Sequence, residues 1–138
     1  METANLERLV RQVVQELLAG GVKKIPVPAL NVSEEHRLDT GKSGDRVYTR
    51  DLFTVSESPR LGAGIMEMTD SRFPWHLTYD EMDYIIEGRL DVVEQGHTTS
   101  AGPGELIYIP RDSKIEFAAR GHCRFLYFVY PANWQAAD

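Results

Sequence analysis

From residue 47 onward, short stretches rich in Val, Ile, Tyr and Phe recur between turn signals: VYTRDLF at 47, LGAGIMEM at 61, MDYIIE at 82, RLDVVE at 89, ELIYIP at 105, KIEFAA at 114 and RFLYFVY at 124. Each is too short for an amphipathic helix, and the regular spacing predicts an all-β sandwich or barrel. Gly88, the Gly96-His97 pair and AGPGE at 101 to 105 supply the turns between them. With 138 residues in all, there is material for one core and not for two.

The start of the chain is patterned differently. Leu6, Leu9, Val10, Val13, Val14, Leu17 and Leu18 recur at helical spacing, which predicts an amphipathic helix capped by Thr3 or Asn5 and ended by Gly20-Gly21. Such a helix docks either on its own domain or dimer mate, or in a groove of a partner. Between Gly21 and Gly44 no period persists, and the text reads as a linker with one short strand near Val22 to Val27. The expected division is therefore a helix over 1 to 20, a linker and first strand over 21 to 44, and the barrel domain over 45 to 138.

Charge narrows the partners. Asp and Glu outnumber Lys and Arg 21 to 15, for a net charge of −6, whereas a nucleic-acid surface needs clustered bases. The longest apolar run, FLYFVY at 125 to 130, falls far short of the roughly 20 residues that a spanning helix requires, so no membrane is expected. A lone Cys123 forms no internal disulfide, and no secretory signal opens the chain, which suits the cytoplasm.

DEMDYIIEGRLDVVEQGHTTSAGPGELIYIPRDSKIEF resembles the two-motif core of the cupin superfamily, small jelly-roll β-barrels. Glu81 and Gly88 fit the second half of the first motif, and Gly104 and Pro110 fit the second motif. The histidine slots of the first motif fall on Trp75 and Leu77, or with one more residue of spacing on Pro74 and His76. The last histidine slot falls on Ile115, so at most two of four usual ligands survive. Within the superfamily, FPWHLTYDEMDYIIEG, the IYIP stretch and the ending RFLYFVYPANWQ are similar to the ethanolamine utilisation protein EutQ family. That resemblance implies a place in the bacterial microcompartments that process ethanolamine, and an acetate kinase activity using Mg²⁺ with ATP and ADP.

Read as chemistry, residues two apart on a strand share a face, so if Glu81 points into the barrel Asp83 and Ile85 do too. Two carboxylates about 6 to 7 Å apart at their α-carbons repel, which raises one pKa unless a cation intervenes. A divalent ion such as Mg²⁺ suits carboxylates, whereas imidazoles suit Zn, Fe, Ni or Cu, so no tightly bound transition metal is expected. The plain alternative ties each acid to a Tyr, Trp or Arg in the cavity. Trp75 and Tyr79 are expected on the inward face with the acids and Tyr84 outside. His76 is a candidate for substrate binding near a ligand slot. Arg111 and Arg124, with Lys114, are the bases nearest the second motif and candidates for an anionic substrate. His36, His97 and His122 lie in linker or turn text and are expected to face solvent. Glu116 faces away from Ile115 by parity unless a bulge intervenes. Cys123 reads as a buried apolar group and not as a nucleophile.

The sequence supports a barrel with catalytic Glu81 and Asp83 that acts on or binds acetate or acetyl phosphate. No phosphate-binding glycine loop is present, and a small barrel has little room for a nucleotide. The rival is a non-enzymatic assembly or sensing module whose helix at 6 to 18 docks on a shell or cargo protein. A metal-dependent cupin enzyme is a third reading. A homodimer is expected, because FLYFVYPANW offers more apolar surface than one barrel needs.

Overall fold

A computed structural model describes residues 5 to 10, 12 and 21 to 135. The chain forms two compact units, residues 1 to 30 and 31 to 138. In the first, residues 5 to 10 and 12 are helical, and the rest of the helix expected over 6 to 18 lies outside the described residues. The strand expected near Val22 to Val27 does not form: Val27–Ala29 make a 3₁₀ turn instead. Pro26 and Pro28 lack the N–H groups that a strand ladder uses.

The second unit holds seven antiparallel strands: β1 Arg46–Asp51, β2 Gly62–His76, β3 Asp80–Glu87, β4 Leu90–Glu94, β5 His97–Ala101, β6 Leu106–Ile109 and β7 Lys114–Tyr130. They run in the order β1-β2-β7-β3-β6, and β4 joins β7 on one side and β5 on the other. The long β2 and β7 form the spine. Trp75 to Ser71 of β2 face Ile115 to Ala119 of β7, and after an irregularity Thr69 to Gly62 face His122 to Val129. Asp70 marks that break with a φ of 43°, and its carboxylate accepts from the Gly121 amide at 2.6 Å.

The two runs KIEFAA and RFLYFVY are therefore one strand of 17 residues. β5 was not expected at all, because HTTSA is polar and its first four residues are exposed. The other strands follow their apolar runs, since burial alternates along them as a half-buried face requires. Their inward residues form one core, which includes Met68, Phe73, Leu77, Ile85, Leu90, Phe117 and Phe125.

Candidate functional site

Alternation along β3 decides the direction of the acids. Glu81, Asp83 and Ile85 are buried, while Met82 and Tyr84 are exposed. Glu81 is 5 % and Asp83 0 % exposed, so both carboxyls leave water on folding. No protein donor reaches either oxygen of Asp83. Its acidic neighbour is Glu81, and two carboxyls bond only when a proton lies between them. Burial pushes Glu81 up to about 7, partly offset by the Asp83 carboxyl beside it. Burial, and then the nearby Glu81 charge, lifts Asp83 well above the ordinary carboxylate range. The pair thus keeps a proton near neutral pH, the behaviour expected of two desolvated like charges.

Above Glu81 lies a cavity walled by the rings of Phe73, Trp75, Tyr79, Phe117, Tyr127 and Trp134, with Leu38, Thr49 and Met66. About 20 Å³ of it is open to the centre of a water molecule, room for about one water. None of its lining residues is basic. Trp75 is the last but one residue of β2, and its indole N–H donates to the Tyr79 hydroxyl at 2.7 Å. Trp75 and Tyr79 meet here because the chain turns between β2 and β3, not because they share one strand.

Trp134 packs on Trp75, Tyr79 and Tyr127 with ring centroids 6.1, 5.9 and 5.6 Å apart. Asp51 of β1 accepts from the Tyr127 hydroxyl at 2.6 Å and from the Trp134 indole at 3.2 Å, which fixes both rings. Gly64 on β2 allows this: a Cβ there would overlap the Tyr127 ring. Burial raises the pKa of Tyr79 and of Tyr127, so both hydroxyls stay protonated.

Outside the cavity, Leu38, Trp75, Tyr79 and Trp134 also line an open groove of about 540 Å³, together with Arg37, Thr78, His76 and Gln135. His76 is exposed at this mouth and Arg37 is at its rim. The structure does not bring Arg111 or Arg124 to the cavity. Arg111 is exposed in the turn after β6, where its amide donates to Asp80 at 2.9 Å. Arg124 is buried on β7 with its guanidinium on Glu67 at 2.5 Å. Lys114 opens β7, and its side chain is exposed.

Glu116 points outward, opposite buried Ile115, and pairs with Arg72 at 2.7 Å, as parity requires. His122 is not in a turn: it lies in β7, half exposed, 3.2 Å from Glu67. His36 is partly buried, and its ring accepts from the Ser33 amide at 2.9 Å, while His97 is exposed at the start of β5. Burial pushes the Cys123 thiol up to about 12, which keeps it a neutral thiol.

The metal-ligand positions of a cupin are here apolar or displaced. Leu77 and Ile115 are buried hydrocarbon, and His76 is turned out to the groove. Among the described residues no group of three His, Cys, Asp or Glu is placed to hold a metal. Glu81 and Asp83 supply carboxylate oxygens, but a divalent ion would need further oxygens from water, and the cavity has room for about one. The pair does not fit a resident divalent ion. Among the described residues no helix is long and apolar enough to cross a membrane.

Comparison with known proteins places this arrangement. The model of the family described as ethanolamine utilisation protein EutQ matches residues 1 to 136. A relative named acetate kinase EutQ from Clostridioides difficile (strain 630) is 48 % identical over 96 % of this chain and 94 % of its own length. The acetate kinase EutQ of Salmonella typhimurium is 39 % identical over 85 % of this chain, but this chain spans only 49 % of it. The solved structure of the Clostridium difficile EutQ protein superposes with a TM-score of 0.84 at 52 % identity, over 86 % of either chain. The cupin domain of Schizosaccharomyces pombe Cnp3 superposes with a TM-score of 0.60 at 16 % identity over 78 % of this chain and 73 % of that one, a likeness of fold. A cupin barrel whose metal positions have become apolar, with its acid kept and a second acid beside it, thus belongs to the ethanolamine utilisation protein EutQ family.

Proposed function

We propose that this chain carries out the acetate kinase reaction that its relatives' names state, within ethanolamine utilisation, and that Glu81 and Asp83 are its working acids. The observation that supports this is the buried pair itself, held with a proton near neutral pH beneath an aromatic-lined opening. Acetyl phosphate and ADP are too large for the inner cavity, and the groove beside His76 and Arg37 is the place with room for them. In the forward step the bond from phosphorus to the acetyl oxygen breaks, and the terminal phosphate oxygen of ADP bonds to that phosphorus. Acetate leaves as the anion, and the protonated Glu81 carboxyl below donates a hydrogen bond toward the departing oxygen through the one water that the cavity has room for. The nucleotide brings its Mg²⁺ as part of the substrate complex.

The test is release of ATP from ADP, acetyl phosphate and Mg²⁺. Glu81→Gln is expected to lower the rate by about 100-fold or more. A rate equal to that of the unaltered chain would remove the acid pair from the reaction.

A second reading is favoured by the absence of any basic residue among those lining the cavity, since anions are seldom held without one. In that reading the chain is a non-enzymatic assembly or sensing module that meets a microcompartment shell or cargo protein through residues 6 to 18. It predicts no ATP release, and capture of a partner that is lost when the residues before Gly21 are removed. In both readings the chain works as a homodimer associated with the microcompartment, away from nucleic acid.

A further inference from the structure

The cavity above Glu81 combines three features. Six aromatic rings form its wall, one acid lies at its base with a second beside it, and no lysine or arginine lines it. Aromatic faces carry negative charge density and attract cations. Buried carboxyls need donors, and both oxygens of Asp83 lack one. An anion in this space would meet the Glu81 carboxyl and ring faces and no positive charge. A bare divalent ion would lack the oxygen ligands and water it requires. What answers every feature at once is a compact positive group that brings N–H donors of its own and has hydrocarbon to set against rings.

We infer that the cavity is built for a small organic ammonium ion, its charged head against Glu81, with Asp83 buried behind, and its short tail toward the outer groove. A primary ammonium supplies N–H donors to Glu81, the one acid that lines the cavity, and its charge also offsets the Asp83 carboxyl buried behind it. The space suits a head of this size, since about 20 Å³ is open to a water-sized centre and an ammonium group is close to water in bulk. Leu38, Trp75, Tyr79 and Trp134 line both spaces, so a two-carbon tail with a polar end would run along these side chains toward the groove. An amine branched next to its head would crowd the rings around Glu81. The inference rests on the reading of the acid pair as the place where the ligand is met, and not on phosphoryl transfer. Bound there, the ion cancels negative charge beneath the groove in which an anionic acyl phosphate would lie.

The tryptophans provide the readout. The chain has two, Trp75 and Trp134, and both line this cavity. Titration of the full chain with 2-hydroxyethylammonium chloride, at fixed ionic strength, is expected to change their emission saturably with a midpoint of about 1 mM or lower. Sodium chloride, magnesium chloride and sodium acetate are expected to leave it unchanged. Glu81→Gln, shown to be folded by circular dichroism, is expected to weaken the response at least about tenfold. Should that variant fail to fold, Trp75→Leu at the half-buried mouth serves instead, read through Trp134, and is expected to weaken binding several-fold. No saturable response, an equal response to sodium or magnesium, or full binding by the folded variant would overturn the inference. ATP release that depends on Glu81 in a chain indifferent to ammonium would sink this inference alone. Ammonium binding lost in Glu81→Gln, with ATP release unaltered, would remove only the acid pair's part in the kinase reaction and leave this inference standing.

Discussion

Asp83 is fully buried with no donor on either oxygen, and Glu81 next to it is 5 % exposed. Unfolded, both titrate in the ordinary carboxylate range, whereas folded they keep protons to higher pH, Glu81 to about 7. Between roughly pH 4.5 and 7 the native chain therefore binds more protons than the unfolded one. Stability falls as pH rises through that window and stays lower above it. Glu81→Gln keeps the shape and cannot ionise, so it is expected to flatten the slope and to raise stability at pH 8 by on the order of 2 kcal/mol. Urea unfolding from pH 5 to 8 measures this, and a wild-type slope that rises with pH would contradict the burial of a strained pair. The direction of these two side chains was legible in the sequence, because period-two alternation leaves one choice once Ile85 is placed in the core. Trp134 and Asp51 were not, since they meet only when β1 and the segment after β7 come together, and no local spacing records that.

At the scale of elements, β2 carries the cavity wall through a residue without a side chain. The Tyr127 ring lies over Gly64, where any Cβ would enter it, and the hydroxyl of that ring reaches Asp51 on the next strand. Gly64→Ala must push the ring aside and break a buried hydrogen bond, at a cost of about 2 to 4 kcal/mol. Tyr127→Phe keeps the ring and loses only the bond, which costs about 1 kcal/mol. Chemical denaturation of the two variants is expected to rank them in that order. Equal losses would mean that the glycine is not what admits the ring. The strands themselves were largely legible, because apolar alternation is a local property. The exceptions are instructive: β5 pairs with β4 through polar residues, and β7 continues through Arg120-Gly121-His122, which reads as a turn but bends with the break at Asp70.

For the whole molecule, what remains outside the core matters most. Met82 and Tyr84 of β3, Leu106 and Tyr108 of β6, and Phe128 and Tyr130 of β7 are all 40 % or more exposed. Register puts them together: Met82 stands opposite Tyr108 on one side and Phe128 on the other, and Tyr84 stands opposite Leu106. At about 200 Å² for a large side chain, these six expose on the order of 600 Å² of one outer sheet face, at the upper end for a monomer. A standard interface takes about 800 Å² from each partner, most of its centre apolar. All six residues are uncharged, which suits pairing between copies of a chain of charge −6. β6 ends the sheet on this side, so a second copy also covers an otherwise open strand edge. Sedimentation of the full chain is accordingly expected to give a dimer, and Leu106→Lys with Tyr108→Lys is expected to give a folded monomer. Both substituted positions point to solvent, so the monomer should unfold at nearly the same urea concentration as the dimer does when diluted. A monomeric unaltered chain, or a double variant that still sediments as a dimer, would show that this face serves a different partner.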